Sequence, residues 1–245
     1  MLAVIGGSGL TSYDGLEHVR RQAFVTPYGE PSCPLTFGRL RGTEMVFLAR
    51  HGDGHTLAPH RINYRANIHA LKEAGARAVV SVATVGGIPA AFGPGTLVAP
   101  DQILDYTWGR ASTFHDEPGS PVTHIDFTRP YDEPLRAKIL EAARRAGVAL
   151  ADGGVYATTQ GPRLETAAEI DRLERDGADL VGMTGMPEAA LAREAGLPYA
   201  AIAAVVNHAA GRGESGEAIS LERIYAVLGE AMVRVRRVIE ALATP

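Results

Sequence analysis

Apolar residues gather into short runs along the whole chain. Segments 2–5, 45–49, 78–83, 96–99, 155–159 and 199–206 are almost continuously apolar, and each runs into small or polar residues. Strands covered on both faces read this way, so six buried strands are expected. Helical patterns lie between several of them. Segment 63–74 places Ile68 and Leu71 near one face and stops at Gly75, a natural helix terminator. Segments 135–146, 165–175 and 187–195 end in the same manner at or before Gly147, Gly177 and Gly196. The last, 220–242, opens on Ser220 as an N-cap, with Arg223 where a full capping box would need an acid or amide. The alternation predicts an α/β fold, with a parallel or mixed central sheet flanked by helices. No linker, repeat or low-complexity tract divides the chain, so residues 1–245 read as one domain. Segment 105–134 has several prolines and little periodicity, and long loops of this kind inside compact domains usually carry function.

Composition narrows the possibilities. A hydrophobic fraction of 46% can fill a large core, which opposes disorder. A net charge of −4 opposes a nucleic-acid surface, which would normally be basic. No apolar run reaches the ~18 residues of a membrane span. The N-terminal apolar run lacks a preceding basic segment and reads as a strand rather than a signal peptide. Cys33 stands alone, so no internal disulfide forms, in keeping with a cytoplasmic location.

Candidate chemistry sits where strands run into loops. Gly6-Gly7-Ser8-Gly9 follows the first strand. Gly7 and Gly9 have the first spacing of a dinucleotide fingerprint, but position 12 is Ser. No lysine follows to make a triphosphate loop, so the choice lies between a plain tight turn and a site for a smaller anion at Ser8. Arg50-His51 follows the second run; a guanidinium fork suits phosphate, His51 adds a donor, and a surface ion-pair arginine is the competing reading. The stretch HGDGHTLAPHR also holds His55 and His60, but Gly52, Gly54 and Pro59 break the helix that paired histidine ligands would need. No metal site is expected there. Ala83 and Thr84 end a strand before Gly86-Gly87, and Met183-Thr184 precede a helix beginning near Pro187. Met183 reads either as core or as an apolar floor under a sugar ring. Ser8, Arg50, His51, Thr84 and Thr184 together form a donor cage for free inorganic phosphate.

The stretches IGGSGL, ARHG, NYRANIHALKEAGA, TTQGPRLET, MTGMPEAALAREAGLPYAAIA and the segment 205–221 resemble the trimeric purine nucleoside phosphorylase and methylthioadenosine phosphorylase family, in the family's order. The resemblance implies a mixed central sheet, a homotrimer, and phosphorolysis of a purine nucleoside to free base and sugar 1-phosphate, with no cofactor beyond phosphate as co-substrate. It places Ser8, Arg50, His51, Ala83, Thr84 and Thr184 at phosphate and Met183 at the ribose.

The resemblance also bears on specificity. Family members that release adenine carry aspartate-x-aspartate where this chain has Asn207 and Ala209; members that release 6-oxopurines carry asparagine at the first position. An asparagine amide can donate to a carbonyl at carbon six and accept from protonated ring nitrogen seven, which stabilises the leaving base. Glu165 stands where 6-oxopurine members place a glutamate that accepts the hydrogen of ring nitrogen one; alternatively it only starts a helix, where its charge suits the dipole. Leu164 replaces the phenylalanine usual beside the base. Members that act on ordinary nucleosides have a histidine near the 5′-hydroxyl, where this chain has Leu221 beside Ile219. An aliphatic pocket leaves a hydroxyl unpaired and favours a methylthio group. The expected substrate is therefore 5′-methylthioinosine. His124 matches a residue that reaches the neighbouring subunit's sugar pocket. The competing functions are phosphorolysis of inosine and guanosine, phosphorolysis of methylthioadenosine, and nucleoside binding without turnover.

Overall fold

The computed structural model describes residues 1–10, 13 and 15–244. A mixed sheet joins strands from both ends of the chain: β1 (Leu2–Gly6), β2 (Glu17–Gln22), β3 (Leu35–Leu40), β4 (Thr43–Ala49), β5 (Ala78–Gly87), β6 (Leu97–Ala99), β7 (Gln102–Asp105), β8 (Ala151–Asp152), β9 (Val155–Thr158), β10 (Leu180–Gly182) and β11 (Tyr199–His208). The helices are α1 (Tyr64–Glu73), α2 (Glu133–Arg145), α3 (Ala167–Arg175), α4 (Glu188–Glu194) and α5 (Leu221–Ala243). The strand order β2-β3-β4-β1-β5-β10-β9-β7 branches at β5, which also pairs with β11. All six expected strands and all five expected helices are present, and the α/β class with a mixed sheet holds.

Strand direction builds the site. β1 pairs in parallel with β4 and β5, and β5 pairs in parallel with β11. The carboxyl ends of these four strands therefore reach one edge, the position where open α/β sheets bind ligands. β10 pairs antiparallel with Gly86 and Gly87 at the carboxyl end of β5, beside that edge. The long β5 is buried along most of its length, which explains its unbroken apolar run.

The helices close the faces. α5 buries Leu228, Ala231, Met232, Val235, Val238 and Ile239, a helical spacing that lays one stripe on the core. Ser220 caps it by accepting from the Arg223 N–H. α3 begins later than expected because Thr166 and Glu169 form a reciprocal capping box. That places Glu165 before the cap and removes the reading in which it merely starts the helix. Between β7 and α2 the chain crosses residues 106–132 without helix or strand, as the proline-rich pattern predicted.

After β1 the described chain turns, with the Leu10 N–H bonded to the Gly7 carbonyl, and the next element is β2 rather than a helix. A dinucleotide fingerprint needs a helix there; its third position, Ser12, lies outside the described residues. No described helix is long and apolar enough to cross a membrane.

Candidate active site

A cavity of about 500 Å³ opens at the convergent strand ends, within the range of small-molecule sites. Its lining includes Ser8, Arg50, His51, Ala83, Thr84, Leu164, Glu165, Met183, Thr184, Asn207, Ala209 and Leu221. The sequence candidates thus converge on one space, although they span more than two hundred positions. His124 is the exception: it is exposed in the 106–132 loop and does not line this cavity.

Arg50 follows β4 and is buried. Its Nε donates to Glu188 Oε2 at 2.6 Å and its Nη2 to Glu188 Oε1 at 2.8 Å. Nη2 also donates to Ser81 Oγ at 2.6 Å, and Nη1 to the Val82 carbonyl at 3.0 Å. The fork expected to grip phosphate is therefore closed on Glu188. A single Nη1 N–H remains for a ligand, so Arg50 can offer one charged hydrogen bond rather than a bidentate clamp. The surface-ion-pair alternative also fails, since the pair is 1% and 0% exposed. Burial opposes the guanidinium charge, but the adjacent Glu188 carboxylate holds its pKa above the ordinary value. Ser81 and Tyr199 hydroxyls complete the Glu188 shell, each donating at 2.8 Å. Gly7 fits here for a steric reason. A Cβ on it would come within 2.7 Å of the Val82 carbonyl and 3.1 Å of Arg50 Nη1.

His51 is buried, with Nδ1 2.8 Å from the Leu57 carbonyl. A carbonyl only accepts, so Nδ1 carries the proton. Burial, with Arg50's charge beside it, lowers the imidazole pKa to about 4. The ring is therefore neutral near pH 7 and its Nε2 is an acceptor. This corrects the expectation that His51 adds a donor: it can instead receive the hydrogen of a P–OH group. His55 packs against it with ring centroids 4.5 Å apart and sits 3.5 Å from Ser8 Oγ. His55 lines the cavity too, and sequence reasoning considered it only as a metal ligand. Among the described residues no three His, Cys, Asp or Glu side chains are grouped to hold a metal.

Glu165 Oε1 accepts from Thr159 Oγ1 at 2.6 Å, leaving its second oxygen for a ligand. The pairing of β11 with β5 shifts between Val205 and Asn207. Strict alternation would send Val206 and Asn207 to opposite faces, but the irregularity brings both onto the cavity wall. Asn207 Nδ2 donates to the His208 carbonyl at 2.6 Å, which fixes the amide and keeps its oxygen and second N–H available. Ala209 is buried and adds no polar group.

Met183 rests on Gly161, where φ is +60° and any side chain would collide with the Met183 sulfur. Leu221, Ile219 and Ile224 add aliphatic surface to the cavity lining, with Leu221 itself 61% exposed in the single chain. Ile224 was missed, although its position one turn after Leu221 on α5 was readable. Glu188 was also missed: an acid in the first turn of a helix ordinarily reads as a dipole partner.

The phosphorylase superfamily model matches residues 1–244. A probable S-methyl-5′-thioinosine phosphorylase of Xanthomonas campestris is 57% identical over 216 residues, covering 88% of this chain and 86% of that protein. A 6-oxopurine nucleoside phosphorylase of Pyrococcus furiosus is 45% identical, covering 86% and 80%. Among solved structures, a methylthioadenosine phosphorylase from Schistosoma mansoni in complex with adenine superposes with a TM-score of 0.94 at 31% identity, covering 99% of this chain and 90% of that one. A shared fold along the whole chain and a matched family model lead to one conclusion: this chain belongs to the phosphorylase superfamily and is an enzyme of the nucleoside phosphorylase type.

Proposed function

We propose that this enzyme cleaves S-methyl-5′-thioinosine with inorganic phosphate, giving hypoxanthine and 5-methylthioribose 1-phosphate. The observation that carries the reading is one cavity lined both by the polar Glu165 and Asn207 and by the aliphatic Ile219, Leu221 and Ile224. A carboxylate with a free oxygen suits the N1 hydrogen of a 6-oxopurine; adenine would present a lone pair there. Aliphatic lining suits a methylthio group and offers a 5′-hydroxyl no hydrogen-bond partner. The names of the relatives from Xanthomonas and Pyrococcus support both halves of this reading.

The chemistry balances with phosphate alone. A phosphate oxygen forms a bond to the anomeric carbon as the bond to purine N9 breaks. The electron pair passes into the purine ring, which takes a proton from solvent at N7, and hydrogen phosphate gives up its own proton to solvent on forming the ester, so the protons balance. Asn207 stabilises that departing charge, with its second N–H toward the carbonyl oxygen and its amide oxygen toward N7–H. Ser8, Thr84, Thr184, the backbone at Ala83 and the remaining Arg50 N–H hold phosphate, with His51 receiving its hydrogen. Met183 floors the ribose, and Leu164 lies beside the base.

The same reading assigns residues 1–245 to one domain, places the enzyme in the cytoplasm and assembles it as a homotrimer, with His124 completing a neighbour's sugar pocket. Light scattering then gives about three times the 25.9 kDa chain mass. The functional test is stoichiometric: hypoxanthine and methylthioribose 1-phosphate form in equal amounts, and neither forms without phosphate. Base release at an equal rate without phosphate would overturn the proposal.

A further inference from the structure

Arg110 does not line the cavity, yet it ties two of its walls together. It lies five residues beyond β7, at the start of the 106–132 loop. Its Nη1 donates to the carbonyls of Met183 at 2.9 Å and Met186 at 2.6 Å. Its Nη2 donates to the carbonyls of Gln160 at 2.8 Å and Thr159 at 3.3 Å. Nε reaches Gln160 Oε1 at 3.2 Å, and Nη1 lies 3.2 Å from the Tyr64 hydroxyl. The first two carbonyls bracket Thr184 on the phosphate side. The second two begin the irregular segment that leads to Leu164 and Glu165 on the base side. The pairing of β9 with β10 ends where the Thr159 N–H donates to the Gly182 carbonyl, and just beyond it one planar guanidinium collects all four carbonyls.

We propose that Arg110 is a positioning residue that sets the distance between the phosphate side and the base side of the active site. This rests on the functional reading above. The attacking oxygen and the departing base must lie on opposite sides of one sugar carbon, so the two walls must be in register. A displacement of about 1 Å between them is expected to cost on the order of 100-fold in rate. Lysine keeps the charge but is a point donor and cannot span two pairs of carbonyls.

The test compares wild type with Arg110→Lys and Arg110→Ala, well below their unfolding temperatures. Arg110→Lys is expected to stay folded, to lose about 10- to 100-fold in kcat/KM, and to raise KM for both nucleoside and phosphate. Arg110→Ala loses more, and millimolar guanidinium restores part of its activity while leaving wild type unstimulated. A purely structural role would lower the unfolding midpoint and leave kinetics and guanidinium response unmoved, and that result overturns the proposal. If Arg110→Ala does not fold, wild-type kinetics in Arg110→Lys overturn it alone. Active wild type with unaffected variants sinks only the role of Arg110, whereas inactive wild type sinks the functional reading.

Discussion

Arg50 and Glu188 form a fully buried, bidentate ion pair beneath the active-site cavity, at 2.6 and 2.8 Å. The pair and its two hydroxyl partners come from α4, the segment after β4, β5 and the first residue of β11, so the pair ties these parts of the core together. Glu188 opens α4, Arg50 follows β4, and Ser81 and Tyr199 lie on β5 and β11. Removing one charge strands the other in a medium that cannot solvate it. Arg50→Ala should therefore lose about 3–5 kcal/mol of stability in urea unfolding, as well as phosphate affinity. The double variant Arg50→Met with Glu188→Leu should recover much of the stability and none of the activity. A single variant as stable as wild type would contradict the ion-pair account.

His51 makes stability depend on pH. Its pKa is about 4 in the folded protein, against an ordinary value near 6.5 when unfolded. Between these values the unfolded chain binds a proton that the folded one refuses. The stabilisation is full above about pH 6.5 and is lost as pH falls toward 4, by on the order of 3 kcal/mol. Urea unfolding at several pH values should show this slope in wild type and a shallower one in His51→Gln. Parallel slopes in the two proteins would remove His51 as the cause.

The proposed function makes the aliphatic lining of the cavity the determinant of sugar preference. Leu221→Ser gives a 5′-hydroxyl a partner and takes apolar surface from a methylthio group. The ratio of kcat/KM for methylthioinosine over inosine should fall, within the roughly 10–200-fold span that one apolar contact controls. An unchanged ratio would place the methylthio group elsewhere.

Asn207→Asp probes the base preference that the proposed function assigns to Asn207. The carboxylate repels an oxygen at carbon six and can accept from an amino group. The preference for methylthioinosine over methylthioadenosine should narrow at least about tenfold without reversing, because Glu165 and Ala209 remain. Kinetics with the two nucleosides check this, and an unaltered preference would free Asn207 of the role.

Much of this arrangement was legible from residue order. Strands buried on both faces, such as β1, β5 and β11, show as apolar runs. β2 did not, because all six of its residues are exposed and its sequence, EHVRRQ, has no apolar face. β8 and β10 are too short to carry a period. Ser8, Thr84 and Thr184 were visible as hydroxyls at strand ends. The supports of the site were not. Glu188 meets Arg50 across 138 positions, and Arg110 reaches carbonyls up to 76 positions away. Such pairings depend on how the sheet closes. The direction of His51's hydrogen bond was hidden for the same reason, since it follows from burial and the Leu57 carbonyl.

The most direct measurement of the central claim is a competition assay. Methylthioinosine, methylthioadenosine and inosine are mixed in equal amounts with excess phosphate and wild-type enzyme, and the loss of each is followed by chromatography. Relative rates of loss then equal the ratios of kcat/KM. The account predicts that methylthioinosine disappears first, with methylthioadenosine disfavoured more steeply than inosine. Loss of methylthioadenosine as fast as methylthioinosine would contradict the roles given to Glu165 and Asn207.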